Sequence, residues 1–270
     1  MSSTPTLSRT EGLDIDLIDA SDVKTAAKIF HRDGFVAIRD ALTAEQLAFA
    51  QQGARRIIAE QTGADPKREG NRGHHRYSFG YRTQHPEWAM LVDLPHMLTI
   101  LDEIWQREDY LCTGAGGDYS LPGAEIQPLH ADMGDYFNDP WGTVTFRDIP
   151  APFIVINYTM VDFTKANGAI RFIPCTQRSR APIPSLEEEP RWMQQSIVCA
   201  PAGTAIVRDV RCWHGGTANT SDEIRPMTSA GYNAPWCMTG NFRHRHLPRA
   251  LYDKLSDRGK TLCAEIVEEQ

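Results

Sequence analysis

Residues 153–161 read FIVINYTMV, a short apolar run rich in β-branched and aromatic side chains. Similar runs recur later in the chain, with Pro, Gly and Asp between them, at residues 169–173, 197–199, 204–207 and 227–234. Runs of this length and composition predict short strands joined by turns. Because the patterns before residue 106 are helical, helices precede strands and do not alternate with them. This order favours a mainly β fold with flanking helices, either a sandwich or an open barrel.

The N-terminal part, about residues 20–106, is predicted to be mainly helical. Apolar residues at helical spacing, with start and stop signals, predict helices over residues 21–33, 43–58 and 87–106, and a short strand over residues 35–39. Thr43 with Glu45 resembles a capping box, and Pro95 is expected to break the third helix. The strand-rich core spans about residues 110–240, and a last helix is predicted at about 247–257. With neither an internal repeat nor a linker, the sequence predicts one domain over residues 1–270.

Composition narrows the function classes. The chain has 270 residues and a net charge of -7, which opposes a nucleic-acid-binding role because phosphate binding needs clustered Lys and Arg. It has no apolar run of the roughly 20 residues that a bilayer requires and no signal-like start, so we expect no membrane partner and a cytoplasmic protein. The six cysteines lack a CxxC pair and are predicted to be mostly buried free thiols. A homodimer is a reasonable expectation, because most soluble oligomers are symmetric homo-oligomers.

Two H-x-D triplets occur, at residues 31–33 and 130–132. The first falls on a predicted helix, where residues two apart point about 200° apart around the axis. The second follows an extended stretch, IQPL at 126–129, in which residues two apart share a face. Only His130 and Asp132 are therefore expected to present both side chains to one ion.

A second imidazole would complete a facial triad on Fe(II), and His214 is the candidate because it follows a strand and turn. Arg225 lies eleven residues further on. Its guanidinium is suited to bind the distal carboxylate of 2-oxoglutarate through two charge-assisted hydrogen bonds. The competing interpretation is a surface ion pair of Arg225 with Asp222 or Glu223.

Three blocks of sequence resemble the phytanoyl-CoA dioxygenase family of 2-oxoglutarate oxygenases. They are HAD at 130–132, DFTKANGAIRFIPCTQ at 162–177 and DVRCWHGGTANTSDEIR at 209–225, with further similarity in FHRDGFVAIRDALT near the N-terminus. The resemblance implies a double-stranded β-helix, a cupin-like jelly roll, with Fe(II), 2-oxoglutarate and O2 as cofactor and cosubstrates. It also implies that Gln127 and Asn157 lie near the cosubstrate. The chain departs from the family at residues 174–177, where Pro-Cys-Thr-Gln replaces Pro-Gly-Ser-His, and at Ile170, where some relatives have Thr.

The resemblance implies oxidation of a C–H bond in a small organic molecule, with hydroxylation as the default outcome. Because relatives act on secondary metabolites, we expect a substrate of that kind. Asp132 disfavours halogenation, which needs that position free for chloride. Three alternatives remain open. The first is an acyl-CoA hydroxylase, which would need a cationic patch; the candidates are Arg178, Arg180 and Arg191. The second is a cupin-like sensor that binds metal without turnover. The third is a zinc hydrolase, which would need a general base, and Glu125 is the candidate.

Several other segments carry weaker signals. Arg72, His74 and Tyr77 are hypothesised to approach the substrate from a mobile lid, and Tyr136, Phe137 and Trp141 to line its pocket. The adjacent histidines at 74–75 and 244–246 lack carboxylate or cysteine partners and are not expected to bind metal. The acidic run 187–189 is predicted to be a solvated loop.

Overall fold

The structure, a computed structural model, describes residues 12–13, 15–134, 139–237 and 246–268. The strands are β1 (Leu17–Ile18), β2 (Phe35–Ile38), β3 (Arg76–Ser78), β4 (Leu111–Ser120), β5 (Phe153–Thr159), β6 (Ile170–Phe172), β7 (Ala205–Asp209), β8 (His214–Gly216) and β9 (Arg225–Asn233). The helices are α1 (Val23–Asp33), α2 (Ala44–Ala64), α3 (Pro86–Leu91), α4 (Pro95–Trp105), α5 (Arg191–Gln194), α6 (Arg249–Tyr252) and α7 (Asp257–Leu262).

Two sheets form the core of the fold. The larger has seven strands in the order β1-β2-β7-β5-β9-β4-β3, and the smaller pairs β6 with β8. All strand pairs are antiparallel except β1 with β2. Isolated bridges, including His130 with His214 and Arg171 with Ile197, extend the smaller sheet. This arrangement confirms the predicted mainly β fold with flanking helices, a double-stranded β-helix.

The alternation of side chains along the central strands separates a packed face from a cavity face. On β5, Ile154, Ile156 and Tyr158 join the main apolar core with helices α1 to α4. Their neighbours Val155 and Asn157 line a cavity on the opposite face. The helices therefore cover one face of the large sheet and leave the other face for the functional site.

Local signals account for the helix boundaries. The Asp22 side chain accepts a hydrogen bond from Thr25 N at the start of α1, and Gly34 ends that helix at φ 86°, a conformation that Gly adopts without steric cost. Thr43 does cap α2, but the reciprocal partner is Gln46 and not Glu45, because the capping box joins the N-cap to the third helical residue. Pro95 separates α3 from α4 as predicted.

Other boundaries differ from the predictions. Residues 197–199 form only isolated bridging contacts and no strand. The last helix is two short helices, since Ser256 caps a new one through Gly259 N. Strand β4 was not singled out from the sequence. None of the six cysteines, all of which lie in the described part of the chain, forms a disulfide, and all but Cys175 are buried, as predicted. Among the described residues, no helix combines the length and apolarity that crossing a membrane requires.

Candidate active site

The two sheets bring His130, Asp132 and His214 to one point. Asp132 Oδ1 lies 3.7 Å from His130 Nε2 and 3.5 Å from His214 Nε2, and one ligand atom from each of the three side chains lies within 4.8 Å of the others. His130 and His214 are cross-strand partners that exchange backbone hydrogen bonds of 2.9 Å in both directions. The predicted side chains thus converge, and two imidazoles with one carboxylate are the donor set of a facial iron(II) site.

The histidines are oriented by backbone carbonyls. His214 Nδ1 lies 2.9 Å from the Cys212 carbonyl oxygen, and His130 Nδ1 lies 3.1 Å from that of Pro128. Because a carbonyl only accepts hydrogen bonds, each Nδ1 carries the proton and each Nε2 presents its lone pair to the shared point. Burial, and then the charge of Arg208, lower the pKa of His214. The neutral imidazole that metal binding requires is therefore favoured.

The third side chain of the cluster, Asp132, is ionised by its surroundings. Burial alone would raise the pKa of its carboxyl, but the charge of Arg208, the largest of the opposing effects, holds that pKa well below its usual value. Arg208 Nη1 lies 2.7 Å from Asp132 Oδ2, with the Arg208 side chain 8 % exposed. The ionised carboxylate and the neutral imidazole of His214 are the forms in which these side chains can bind a divalent cation.

Arg225 begins β9 and points into the same cavity as the triad. It is buried, its Nε donates to the Gly168 carbonyl oxygen at 3.1 Å, and its guanidinium lies over the Phe163 ring. Its Nη1 is buried without a hydrogen-bond partner among the described residues. Burial, and then the nearby Arg76 charge, lower the pKa of Arg225 to about 10, so the group stays charged at neutral pH. The competing interpretation, a surface ion pair of Arg225 with Asp222 or Glu223, is therefore wrong.

Gln127 and Arg76 flank Gly216, two residues after His214. Gln127 Oε1 accepts a hydrogen bond from Gly216 N at 2.9 Å. Arg76 Nε donates to the Glu125 carbonyl oxygen at 3.0 Å, and burial lowers the pKa of Arg76 to about 10. A Cβ at Gly216 would lie 2.4 Å from Arg76 Nη1 and 2.9 Å from Gln127 Oε1. The glycine therefore allows both side chains to reach the cavity beside the triad.

Asn157 also lines the cavity, and its side-chain oxygen is hydrogen-bonded to Arg208. Its Oδ1 accepts a hydrogen bond from Arg208 Nε at 2.9 Å, and both side chains are buried. Asn157 and Arg208 lie on the adjacent strands β5 and β7, on the face that carries the triad. The contact with the cosubstrate implied by the resemblance stays a prediction.

The cavity has a volume of about 500 Å³ and extends from the triad to the edge of the large sheet. Arg72 lies at its rim with a 64 % exposed side chain, 4.0 Å from Asp118. Tyr77 also borders the cavity, but its ring stacks on Tyr119 and its hydroxyl donates to Asp65 at 2.6 Å. Its 3 % exposure and its place in β3 contradict a mobile lid. A strand position with a fixed hydroxyl partner is a core position.

Other predicted pocket residues are not part of the cavity as described. His74 is exposed and does not line the cavity, although Arg72 does. Trp141 is 88 % exposed and does not line it either. Tyr136 and Phe137 lie outside the described residues.

The competing motifs have local explanations. His31 Nε2 contacts the Ile104 carbonyl oxygen at 3.1 Å, and Asp33 pairs with Arg32, so the first H-x-D triplet ends a helix as expected. Among the described residues, His130, Asp132 and His214 form the single cluster of metal-ligand geometry. Glu125 is exposed and does not line the cavity, which disfavours it as a hydrolytic base.

The prediction that residues 187–189 form a solvated acidic loop is wrong at one position. Glu187 and Glu188 are exposed as predicted, but Glu189 is buried and paired with Arg171. Arg171 follows Ile170 on β6 and also donates to the Gln127 carbonyl oxygen. The buried Arg171 side chain forms an ion pair with Glu189. Three consecutive glutamates in the sequence do not indicate which of them has such a partner.

Sequence reasoning missed Arg76 and Arg208. Arg208 interrupts the apolar run AIV of β7, and a charged residue inside a buried strand is rarely tolerated unless it has a partner. That interruption was an available signal. Arg76 sits next to Tyr77, and only the register of β3 decides which of the two faces the triad.

The chain belongs to the phytanoyl-CoA dioxygenase (PhyH) family, whose pattern matches residues 30–227. That range contains His130, Asp132, His214 and Arg225. Dioxygenase af480 of Aspergillus fumigatus is 29% identical over 160 residues, which cover 58% of this chain and 48% of that protein. The match thus spans about half the length of this curated relative.

Solved structures show the same fold. The epimerase SnoN from nogalamycin biosynthesis, crystallised with Fe3+, alpha ketoglutarate and nogalamycin RO, superposes with a TM-score of 0.60 at 18% identity, covering 80% of this chain and 84% of SnoN. EctD from S. alaskensis, crystallised with 2-oxoglutarate and 5-hydroxyectoine, gives 0.59 at 17% identity, covering 85% of this chain and 82% of EctD. At these identities the likeness establishes the jelly-roll fold.

Proposed function

We propose that this chain is an Fe(II)- and 2-oxoglutarate-dependent oxygenase that oxidises a C–H bond of a small organic molecule, with hydroxylation as the default outcome. The helical part, the sheets and the C-terminal helices act together as one catalytic domain. The observation that carries the proposal is the pairing of a two-histidine, one-carboxylate cluster with Arg225, a buried cation whose Nη1 has no partner among the described residues.

Each of these residues has a distinct role. His130, Asp132 and His214 hold the iron through two Nε2 atoms and one carboxylate oxygen. Arg225 binds the distal carboxylate of 2-oxoglutarate, for which its free Nη1 is suited. Arg76, whose described contacts are carbonyl oxygens, adds a second positive charge nearby. Gln127 and Asn157 complete the polar wall of the cosubstrate site.

When bound, iron and 2-oxoglutarate supply the chemistry of C–H oxidation by O2, with release of succinate and CO2. The protein contributes position and exclusion of water. Phe153, Val155 and Met227 line the cavity and provide apolar contact, while Arg72 and Asp118 provide polar contact. This mixed lining suits a small molecule that has both apolar and polar groups.

The structural relatives support this substrate class. SnoN was crystallised with nogalamycin RO and EctD with 5-hydroxyectoine, and both are small organic compounds. The acyl-CoA alternative receives less support, because two of the three arginines proposed to bind the CoA phosphates already contact Asp148. Arg180 pairs with Asp148, and Arg178 donates to the Asp148 carbonyl oxygen. A secondary metabolite is therefore the favoured substrate, acted on in the cytoplasm.

The test is succinate release from 2-oxoglutarate with Fe(II) and ascorbate, measured over a panel of small natural products and one acyl-CoA. We expect oxygen-dependent succinate release that rises with the correct substrate and is lost in Asp132→Ala. Tight metal binding without succinate release from any compound would favour the sensor. Product formation that persists without oxygen would favour the hydrolase.

A further inference from the structure

Asp132 presents its two carboxylate oxygens to different partners. Oδ1 is the atom that faces both imidazoles, 3.7 Å from His130 Nε2 and 3.5 Å from His214 Nε2. Oδ2 is 2.7 Å from Nη1 of Arg208. The Asp132 oxygen that does not face the imidazoles is therefore in contact with a cation.

Arg208 is itself fixed from the other side. Its Nε donates to Asn157 Oδ1 at 2.9 Å, and both residues are buried. Strands β5 and β7 are paired with Val155 opposite Arg208 and Asn157 opposite Ile206, so Asn157 and Arg208 are diagonal neighbours on the same face of the sheet. The guanidinium is thus held by a hydrogen bond at Nε and by an ion pair with Asp132 at Nη1, although Nη1 itself donates no hydrogen bond among the described residues.

We propose that Arg208 is a positioning residue that keeps Asp132 bound to the metal through one oxygen, and that Asn157 holds Arg208 in place. The inference rests on the proposed function. A carboxylate can chelate a metal through both oxygens, and a facial triad leaves three open positions only if its carboxylate uses one. The cosubstrate requires two of those positions and O2 requires the third. An Asp132 that closed onto the metal with Oδ2 would therefore remove a position that the reaction needs.

This role differs from a direct contact between Arg208 and the cosubstrate, because it acts on the metal complex before 2-oxoglutarate binds. It also differs from a general structural role. Replacing Arg208 by Met removes a positive charge near the cation and releases a second oxygen, so metal affinity is expected to be unchanged or higher. A merely structural defect would weaken metal binding.

The experiment uses Mn(II) as the probe in the full chain. Mn(II) titration gives metal affinity, and water-proton relaxation reports the number of water molecules on the bound ion. In Arg208→Met without cosubstrate, the bound-water contribution is expected to fall by about one third, since Asp132 takes one of three open positions. The dissociation constant of 2-oxoglutarate is expected to rise about tenfold. Arg208→Lys, which retains a cation able to contact Oδ2, is expected to restore most of the wild-type relaxation.

Two further variants complete the design. Arg180→Met removes an exposed arginine–aspartate pair and serves as the matched control, with no expected change in relaxation or affinity. Asn157→Ala keeps the Arg208 charge but frees the side chain, and is expected to lower relaxation in the same direction by a smaller amount. It decides the matter should Arg208→Met fail to fold.

Unchanged relaxation in the metal complexes of Arg208→Met or Asn157→Ala overturns the inference, as does a loss of metal affinity in Arg208→Met. An affinity loss for 2-oxoglutarate alone, with metal-bound water unchanged, assigns Arg208 to direct cosubstrate contact instead. These outcomes differ from failure of the proposed function, in which the wild-type protein itself binds neither Mn(II) nor 2-oxoglutarate.

Discussion

The buried ion pair between Arg171 and Glu189 gives the sharpest prediction for stability. Neither side chain exposes any area, and Arg171 Nη2 lies 3.0 Å from Glu189 Oε1. Glu189→Gln preserves shape but leaves the guanidinium charge uncompensated, and Arg171 Nε already lacks a partner among the described residues. Removing one member of a buried pair costs about 3–5 kcal/mol. Because the amide oxygen can still accept one hydrogen bond, we expect about 3 kcal/mol.

Urea unfolding, followed by fluorescence and circular dichroism so that coincident transitions verify two-state behaviour, measures this loss. With a slope of about 3 kcal/mol per M, the midpoint is expected to fall by about 1 M. Glu187→Gln is the matched control, since Glu187 is exposed two positions away, and it should change stability by no more than about 0.5 kcal/mol.

The double variant Arg171→Met/Glu189→Leu separates charge from packing. Replacing a buried ion pair by apolar residues of similar size is often neutral or stabilising, so this variant should return to the wild-type midpoint or exceed it. If Glu189→Gln lost no more stability than Glu187→Gln, the argument that the pair is sealed from water would be wrong. A double variant as unstable as the single one would mean that packing, and not the unpaired charge, sets the cost.

Three further perturbations have expected outcomes. Arg225→Met should weaken 2-oxoglutarate binding about ten- to hundredfold, or about 1.5–3 kcal/mol, with metal affinity retained, in a calorimetric titration; equal weakening of metal binding would contradict a cosubstrate role. Gly216→Ala places a methyl 2.4 Å from Arg76 Nη1 and should cost about 1–3 kcal/mol of unfolding free energy by overpacking, whereas Gly63→Ala, with nothing within 4 Å, should not destabilise. Burial and then the Asp65 contact raise the pKa of Tyr77 to about 12, so its protonated form stabilises the fold below pH 10 and that stability is lost as pH rises from about 10 to 12. Tyr77→Phe should accordingly lose less stability over that alkaline range, and an unchanged pH profile would contradict the assignment.

The parts of the fold that were predictable are those whose signals are local. Helix α1 ends where Gly34 adopts a positive φ, and β5 consists of β-branched and aromatic residues. Strand β4 carries no such signal, because its sequence is LCTGAGGDYS and glycine disfavours strands. It forms nevertheless because β9 pairs along its length. A Cβ at Gly116 would lie 2.4 Å from the Gly80 carbonyl oxygen, so close approach of another segment requires the glycine.

The same division holds in the site. The spacing of His130 and Asp132 on one extended segment was readable, and so was the offset from His214 to Arg225. The contacts of Arg208 with Asp132 and of Arg171 with Glu189 join residues that are far apart in the chain. In both pairs the arginine lies on a strand and the carboxylate on a segment outside the strands, so the contact depends on how that segment packs against the sheet. The candidate metal ligands were therefore predictable from the sequence, and the residues that contact them were not.

The arginines around the cavity differ in what neutralises them, and this difference assigns their roles. Arg208 and Arg171 each form an ion pair with a carboxylate, so their positive charges are neutralised within the protein. Among their described contacts, Arg225 and Arg76 instead donate to the carbonyl oxygens of Gly168 and Glu125. A carbonyl satisfies a donor but does not cancel a charge, and an uncompensated buried charge is costly. The fold bears that cost at the end of the cavity where an anion with two oxygens would remove it, which is the physical reason that a dicarboxylic cosubstrate fits there.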